Sequence, residues 1–342
     1  RCALVTGVQT CALPIYPLIK TSLAHLCRLK TAAALFFLLC IMCRQAIAEN
    51  RLKLGIERLA DYRAVFTGKR IGLITNQTGI DSGGTPSAVL LSRSVQLTAL
   101  FAPEHGIQGN EREGATIEHS ADPQTGLPVY SLYGNTKRPT QEMLKDIDVL
   151  CFDIQDIGAR FYTYISTMAY AMEECARHKK KFVVFDRPNP IGSAVEGNIL
   201  ELEYRSFTGY FPIVQRHGMT VGELALLFNT EYGIHCDLTV IPMEGWSRET
   251  YFDELPLIWV PPSPNIPSPQ TALVYAGVCL FEGTNLSVGR GTTMPFQYLG
   301  APYIDAYRLA DRLNRLGLAG VRFLPAVFTP SLSLYAGKLC GG

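Results

Sequence analysis

Residues 149–160 read VLCFDIQDIGAR, a short apolar run that ends at once in the polar residues Asp153, Gln155 and Asp156. Three further runs end in the same way, at residues 71–77 (IGLITNQ), 97–106 (LTALFAPEHG) and 182–189 (FVVFDRPN). All four are rich in Val, Ile, Leu and Phe and do not alternate with polar residues, which is typical of strands buried on both faces. The pattern predicts a parallel sheet covered by helices, in which a ligand binds beyond the carboxyl ends of the strands.

Helical patterns separate the four runs. Strands that alternate with helices are joined by right-handed crossovers and form a parallel sheet. The predicted helices of this first half are Pro86–Ser94, Thr140–Lys145 and Phe161–His178. Residues 49–200 are therefore predicted to form an α/β domain.

The regular alternation ends near residue 200. A helix is predicted over Thr220–Glu231, where Thr220 and Glu223 match a capping box. The other predicted elements are the strands Leu238–Ile241 and Leu273–Phe281, a proline-dense loop over Trp259–Gln270 and the helix Tyr303–Leu316. We expect residues 201–342 to form a smaller α+β domain, with a cleft between it and the sheet domain.

Residues 17–48 have the pattern of a secretory signal peptide. Basic residues precede the apolar stretch Ala32–Cys43, and the cleavage motif AIA follows at residues 46–48. A secreted or periplasmic protein without a stable membrane anchor is therefore expected. Residues 1–16 resemble translated sequencing-adapter read-through and are interpreted as an artefact. The end of the chain at residue 342 is interpreted as a truncation of the C-terminal domain.

Charge and cysteine content exclude several classes of partner. Of the 31 Lys and Arg residues five precede Glu49, which leaves 26 against 30 Asp and Glu residues. Nucleic acid is not an expected partner, because the sequence has no basic stripe. The five cysteines beyond residue 48 are widely spaced, which does not favour a disulfide framework. Beyond residue 48 there is no CxxC or HExxH motif, and no GxGxxG follows the first strand, so neither a metal nor another cofactor is predicted.

Glu104 and His105 are the first candidate catalytic residues. They follow a predicted strand between Pro103 and Gly106, and glycine lets the backbone approach a ligand closely. A carboxyl group at a dehydrated strand end favours its protonated form, as a general acid requires. The alternative is a glutamate that caps a helix or stabilises a turn.

The polar residues after the run at 149–153 form a second candidate group. Asp153 and Asp156 are candidate catalytic carboxylates, and Gln155 and Arg160 are candidate substrate contacts. The alternative for Asp156 and Arg160 is an ion pair four residues apart near a helix start.

The remaining candidates would contact substrate. Arg187 could bind an anion, because guanidinium forms a bidentate fork with a carboxylate, or it could form a buried pair with Asp that shapes its loop. Tyr162 and Tyr164 could line a sugar site or simply pack. Arg216 and Arg290 could bind an anion or lie in surface turns. The other candidate substrate-binding residues are Asn76, Asn189, His217, Asn265, Glu282 and Asn285.

Six segments occur in order within residues 53–342: APEHGIQG, FDIQDIGARFYTYISTM, DRPNP, RHGMTVGELA, PPSPNIP and EGTNLSVGRGT. Together they resemble a family formerly described only as a domain of unknown function and now represented by NamZ-type exo-β-N-acetylmuramidases. The resemblance implies a Rossmann-like N-terminal part, a smaller C-terminal part and a site in the cleft between them. It also implies a secreted glycoside hydrolase that removes terminal N-acetylmuramic acid from the non-reducing ends of peptidoglycan fragments. Muramyl disaccharides and muropeptides would be its partners, and Glu104 its principal catalytic glutamate.

The implied substrate carries a lactyl carboxylate and an N-acetyl group, so its recognition needs a cation, amide partners and an apolar wall. Glu104 would protonate the glycosidic oxygen, with His105 beside it. Asp153 or Asp156 would activate water or stabilise an oxocarbenium ion, and attack by the substrate's own N-acetyl group is a third route. Two other functions stay open, namely a metal-dependent hydrolase that uses these four residues and a non-catalytic periplasmic muropeptide-binding protein.

Overall fold

The computed structural model describes residues 52–109 and 120–342. Within these residues seven strands form one sheet: β1 Arg70–Thr75, β2 Gln96–Ala102, β3 Ser120–Ala121, β4 Pro128–Ser131, β5 Val149–Asp153, β6 Lys181–Phe185 and β7 Asp237–Ile241. Their order across the sheet is β3-β4-β2-β1-β5-β6-β7. All pairs are parallel except the edge pair of β3 with β4. The predicted signal peptide and the residues before it lie outside the described residues.

The strand order reverses direction at the centre of the sheet. From β1 the chain moves outward through β2 to β4, and it then returns to place β5, β6 and β7 on the other side of β1. Thr75 at the end of β1 is the register partner of Asp153 at the end of β5. In open parallel sheets ligands bind at such a switch point, beyond the carboxyl ends of the strands. The four predicted strands are confirmed, and the polar residues after them lie at one end of the sheet.

Apolar residues cover both faces of the sheet. In β5, Val149 and Cys151 pack in one cluster, while Leu150 and Phe152 pack in the other, as the two-residue period of a strand requires. The first cluster is covered by α1 (Arg63–Phe66) and α2 (Ser87–Ser94), and the second by α3 (Gln141–Leu144), α4 (Tyr164–Arg177) and α5 (Val221–Thr230). Burial on both faces explains why these strands are unbroken apolar runs.

The four predicted helices of this region are confirmed as α2, α3, α4 and α5, each slightly shorter than predicted. In α3 and α5, the residue immediately before the helix caps its N-terminus. Thr140 accepts a hydrogen bond from the Met143 N–H at 3.3 Å. At the start of α5, Thr220 Oγ1 accepts from the Glu223 N–H at 3.2 Å, and the Glu223 carboxylate accepts from the Thr220 N–H at 2.9 Å. The predicted capping box is therefore confirmed.

The last part of the chain contributes to the core on the α4 side. It contains α6 (Pro269–Val278), α7 (Ala306–Asn314) and an antiparallel pair of short strands, β8 (Val327–Phe328) and β9 (Cys340–Gly341). Helix α7 confirms the helix predicted over residues 303–316, and the α/β class with a smaller C-terminal part is confirmed. Strand β7 lies beyond the predicted boundary near residue 200 and pairs with β6. The sheet thus takes residues from both predicted domains, and the boundary itself stays a prediction.

The predicted strand over Leu273–Phe281 is wrong. Helix α6 occupies most of this run, and a 3-10 turn over Cys279–Gly283 follows it. The helix start is encoded in the preceding loop, where Ser268 Oγ accepts from the Thr271 N–H at 3.1 Å and Pro269 takes the first helical position. The run is apolar on all sides, so its sequence lacks the helical period that distinguishes an exposed helix from a buried strand.

All five cysteines of the described residues are free thiols, so the expectation that they form no disulfide framework is confirmed. Cys151, expected to be a buried small residue in a strand, is buried in β5. Cys279, also expected in a strand, instead lies half-buried in the turn after α6. Burial raises the pKa of the Cys236 and Cys279 thiols to about 12.

Candidate active site

Glu104 follows β2 in a tight turn at the carboxyl end of the sheet. The Gly106 N–H donates to the Pro103 carbonyl at 3.1 Å, and both His105 and Gly106 have positive φ angles, of 69° and 77°. Such an angle is uncommon outside glycine and is found preferentially at functional sites. Glu104 and His105 are each 7% exposed. The turn therefore holds a carboxylate and an imidazole in a largely dehydrated position at the predicted end of the sheet.

Thr163 holds the Glu104 carboxylate. Its hydroxyl donates to Glu104 Oε2 at 2.7 Å. Thr163 is also the N-cap of α4, where a side chain usually accepts a hydrogen bond from the helix, but its side chain makes no capping bond. Thr163 is not among the predicted site residues, because it lies within the helix predicted over Phe161–His178, whereas the observed helix begins only at Tyr164.

Asp153 forms a buried ion pair with Arg187. Arg187 Nε lies 2.5 Å from Asp153 Oδ1, and Nη2 lies 2.8 Å from Oδ2. Ser87 Oγ also donates to Asp153 Oδ2, and Arg187 Nη2 donates to the Ile80 carbonyl at 2.7 Å. Asp153 is fully buried and Arg187 is 3% exposed. These contacts favour the alternative interpretation, in which the pair shapes the loops at the end of the sheet.

Asp156 has a different environment. Its Oδ2 atom accepts from the Gly158 N–H at 2.8 Å and lies 3.7 Å from His217 Nε2. Within the described residues, Asp156 Oδ1 and His217 Nε2 are buried and have no hydrogen-bond partner. Buried polar atoms without a partner are rare in folded proteins, so this pair needs an explanation.

The ion pair between Asp156 and Arg160, considered as an alternative above, is not formed. Arg160 Nη1 instead donates to the carbonyls of Asn198 and Ile213, at 2.6 Å each. Burial lowers the pKa of the Arg160 guanidinium. Arg160 thus links the segment after β5 to the stretch of chain between β6 and α5.

Two buried tyrosines, Tyr162 and Tyr164, are influenced by the charge of the candidate carboxylates. The rings of Tyr162 and Tyr164 meet edge to face, with centroids 5.0 Å apart, and the Tyr164 hydroxyl donates to the Pro262 carbonyl at 2.5 Å. Burial raises the pKa of both hydroxyls, and the negative charge of Glu104 raises both further. The charge of Asp156 also raises the pKa of Tyr162. The charges of Glu104 and Asp156 thus both act on the Tyr162 hydroxyl.

The proline-dense loop over Trp259–Gln270 is tied to the ends of the strands. Gln77 Nε2 donates to the Pro261 carbonyl at 2.8 Å, next to the bond from Tyr164 to Pro262. Ile266 of the same loop is buried in the core. Asn265, a predicted substrate contact, lies half-buried in this loop. Gln77 and Tyr164 therefore hold the loop beside the two carboxylates.

The predicted amide contacts mostly support the backbone. Gln155 Nε2 donates to the carbonyls of Asp156 and Pro188, at 2.8 Å each. Asn189 donates to the Met219 carbonyl at 3.0 Å and accepts from the Ile191 N–H. Asn76 Oδ1 accepts from the N–H and the hydroxyl of Thr78, whereas its buried Nδ2 has no partner among residues 52–109 and 120–342. Of the three amides, Asn76 best fits a ligand contact.

Two arginines of the second half of the chain, Arg216 and Arg290, were predicted to contact substrate, and each forms an ion pair. Arg216 pairs with Glu196 at 2.8 Å, and Arg290 pairs with Glu282 at 2.5 Å. The Arg290 guanidinium lies over the Phe296 ring, which meets Tyr275, and the centroid of Tyr275 is 5.9 Å from that of Tyr162. The exposed Asn285 uses its carbonyl to accept from two tyrosine hydroxyls, Tyr303 and Tyr335. The cluster of Glu282 and Arg290 is thus linked to the site by three aromatic rings.

Neither a metal cluster nor a membrane span is found in the part of the chain that the structure describes. No three His, Cys, Asp or Glu side chains are placed there to hold an ion. No helix in the same part is both long and apolar enough to cross a bilayer.

Two family models match the chain in succession. The first, described as exo-β-N-acetylmuramidase NamZ, N-terminal, matches residues 71–270, and the second, the C-terminal model of the same family, matches residues 273–342. The peptidoglycan β-N-acetylmuramidase NamZ of Bacillus subtilis (strain 168) is 51% identical over 302 residues, which cover 87% of this chain and 73% of that protein.

Two solved structures have the same fold. Both are DUF1343 family proteins of Bacteroides fragilis NCTC 9343. One is 46% identical with a TM-score of 0.79, and the match covers 86% of this chain and 76% of that one. The other is 37% identical with a TM-score of 0.70, and the match covers 85% of this chain and 76% of that one.

Proposed function

The chain belongs to the NamZ family of exo-β-N-acetylmuramidases, and from this premise we propose that it is an exported glycoside hydrolase. Its reaction would release terminal N-acetylmuramic acid from the non-reducing ends of peptidoglycan fragments. The matched models cover most of the chain, and the relative at 51% identity carries the name of this activity. Muramyl disaccharides and muropeptides are the proposed substrates.

One observation carries the proposal: two buried carboxylates, Glu104 after β2 and Asp156 after β5, follow the two strands that flank β1, and in addition to burial the charge of each raises the pKa of the Tyr162 hydroxyl. Glycoside hydrolysis typically uses two carboxyl groups that flank the scissile bond. Glu104 is the proposed general acid, which donates its proton to the glycosidic oxygen as the bond to the sugar breaks. His105, in the strained turn beside it, helps to set the position of that carboxyl group.

Asp156 is the proposed second carboxylate. Asp153 is less suited to this role, because Arg187 and Ser87 already engage both of its oxygens. Asp156 Oδ1 is without a partner in the described residues and can accept a hydrogen bond from a water molecule or from the substrate's acetamide N–H. With water, the Asp156 carboxylate would accept the proton that the water releases as its oxygen attacks the anomeric carbon. With the acetamide, it would orient the group whose oxygen attacks that carbon and stabilise the positive charge that the group acquires.

Arg290 is the proposed partner of the lactyl carboxylate. Arg160 is committed to two backbone carbonyls and Arg187 to a buried carboxylate. Arg290 pairs with Glu282, whose side chain is one-third exposed, and its guanidinium lies over Phe296, the first of the three rings that link this cluster to the site. The glycines on both sides of Arg290 have positive φ angles, which lets the backbone approach a bound sugar closely.

Export is proposed on the signal-peptide pattern of residues 17–48, with a secreted or periplasmic destination and no stable anchor after cleavage. Immunodetection in cell fractions, with a variant that lacks the AIA motif as control, tests this part separately. Processed protein found only in the cytoplasmic fraction would contradict it.

The decisive experiment is a chromogenic release assay on an aryl β-N-acetylmuramide beside the matching aryl β-N-acetylglucosaminide. We expect release from the muramide only, because the enzyme requires the lactyl carboxylate for recognition. Glu104→Gln should lower kcat/KM roughly 100- to 10,000-fold. Glu174→Gln is the matched control, since Glu174 is also buried but lies near the C-terminal end of α4. Glu104 contacts Thr163 at the N-terminal end of that helix. Near-normal turnover by Glu104→Gln would disprove the general-acid role.

The same assay separates the two alternative functions. A non-catalytic muropeptide-binding protein would bind a muramyl disaccharide tightly and release no product during long incubation. A metal-dependent hydrolase would lose its activity in EDTA and regain it with a divalent ion. The donor set for that alternative includes Asp153, whose oxygens are occupied by Arg187 and Ser87, so the metal-free glycosidase is the better supported of the two.

A further inference from the structure

A backbone contact sets the tautomer of the neutral His217 ring. Its Nδ1 atom accepts a hydrogen bond of 3.2 Å from the Met219 N–H. A ring nitrogen that accepts a hydrogen bond carries no proton, so the neutral imidazole has its proton on Nε2. His217 is only 2% exposed, and it therefore presents a single N–H donor within the protein interior.

That donor faces Asp156 without reaching it. The distance from His217 Nε2 to Asp156 Oδ2 is 3.7 Å, whereas a normal N–H···O bond is about 2.9 Å long. An imidazole that served only as a scaffold would be expected to use both of its nitrogens, because buried polar atoms are nearly always paired. Catalytic hydrogen bonds are often long in the absence of substrate and shorten when it binds.

Backbone hydrogen bonds join the segments that carry His217 and Asp156. The His217 N–H donates to the Gly158 carbonyl at 3.4 Å, and the Gly158 N–H donates to Asp156 Oδ2 at 2.8 Å. Gly158 has a φ of +82°, and a Cβ atom there would lie 2.4 Å from Asn189 Oδ1. Asn189 also donates to the Met219 carbonyl, so the same amide lies against Gly158 and is bonded to the segment that follows His217.

We infer that His217 is a positioning residue that acts through Asp156. As substrate seats, His217 closes its Nε2–H bond to Asp156 Oδ2, and this bond together with the Gly158 N–H fixes the carboxylate with Oδ1 directed at the substrate. The inference rests on the proposed function and differs from a direct contact of His217 with the sugar.

Two variants of His217 and a control variant of His178 test the role on the aryl β-N-acetylmuramide. His217→Leu removes the donor and should lower kcat roughly 10- to 100-fold, the value of one hydrogen bond to a charged group. KM should change little, because His217 does not touch the substrate. His217→Gln keeps an N–H donor and should recover most of the lost turnover. His178→Leu is the matched control, since His178 lies 3.8 Å from Glu174 at the end of α4 and should keep full activity.

A double-mutant cycle shows whether the effect passes through Asp156. In an Asp156→Asn background, His217→Leu should cause little further loss of kcat, because the carboxylate it positions is already gone. Calorimetric titration with N-acetylmuramic acid should give equal Kd values for the unaltered protein and His217→Leu, and thermal unfolding checks that each variant is folded.

The outcomes separate this inference from the function on which it rests. No release by the unaltered, folded enzyme would overturn the proposed function itself. An active enzyme in which the two substitutions lower kcat independently, or in which His217→Gln is as poor as His217→Leu, would overturn only the positioning role. A weaker Kd in His217→Leu that matches the loss of activity would make His217 a substrate contact instead.

Discussion

The hydroxyl of Thr163 donates to Glu104 at 2.7 Å instead of capping the helix that it begins. An N-cap side chain that accepts from the helix contributes about 1 kcal/mol to stability. Here that contribution is absent, and the same hydroxyl holds the proposed general acid. The site is thus arranged at a small expense to the stability of α4.

Thr163→Val should reduce both activity and stability. It removes the donor to Glu104 but no capping bond, so kcat/KM should fall roughly 10-fold or more. The free energy of unfolding in urea should fall by about 1–3 kcal/mol, because the buried Glu104 carboxylate loses a donor. Thr163→Ser keeps the hydroxyl and is the control. Equal activities of the valine and serine variants would mean that this hydrogen bond has no role in catalysis.

The buried pair of Asp153 and Arg187 should behave as a structural element. Arg187→Met leaves a buried carboxylate without its cation and should lower the free energy of unfolding by about 3–5 kcal/mol. Arg70→Met is a useful comparison, because Arg70 pairs with Asp148 at 3.1 Å on the surface and its loss should matter far less. Denaturant titration of both variants measures the difference, and similar losses would contradict the assignment.

Asp186 should make stability depend on pH in an unusual direction. Burial raises the pKa of this carboxyl from 3.8 to about 6, although the Gly222 N–H and the Thr220 hydroxyl both donate to it. The folded state then holds the proton more tightly than the unfolded state does. The stability that this group contributes is complete below about pH 4, is lost as the pH rises to about 6, and is constant above that.

Asp186→Asn isolates this effect. The difference in unfolding free energy between the unaltered protein and the variant should shift by about 3 kcal/mol between pH 4 and pH 7, against the unaltered protein at higher pH. Urea unfolding at several pH values measures it. Two parallel curves would show that Asp186 does not titrate in this window.

Gly158 should tolerate no side chain. Its φ of +82° disfavours alanine by about 1 kcal/mol, and the new Cβ atom would also collide with Asn189 Oδ1 at 2.4 Å. Gly126 has a similar φ of +71° and open space around it, so Gly126→Ala measures the backbone effect alone. Thermal unfolding should show a clearly larger loss for Gly158→Ala. Equal losses would indicate that the loop moves to accept the methyl group.

The sequence was sufficient to predict five of the seven strands described in the sheet and the end of the sheet at which the candidate residues lie, whereas the short strands β3 and β4 were not predicted. The runs at 71–75, 97–102, 149–153 and 182–185 are buried on both faces, and this burial is directly visible as an absence of alternation. Helix α6 was not predicted correctly, because a helix that is apolar on all sides has no visible period. Its start at Ser268-Pro269 belongs to a proline-dense stretch that reads as a loop.

The pairings within the site could not be predicted. Asp153 and Arg187 lie 34 positions apart, and whether they bind each other or a ligand depends on how two loops meet at the end of the sheet. Whether His217 faces Asp156 depends on how the backbone at residue 217 packs against the backbone at residue 158. Neither the place of Thr163 before α4 nor the use of its hydroxyl was predicted, because the predicted helix already begins at Phe161.

The five free cysteines bear on the compartment in which the protein would work. Disulfide exchange needs a thiolate, and a thiol with a pKa of about 12, as for Cys236 and Cys279, is almost entirely protonated at neutral pH. Cys151, Cys175 and Cys340 are buried as well. The thiols of the described residues are therefore poorly suited to disulfide exchange in an oxidising environment outside the cytoplasm.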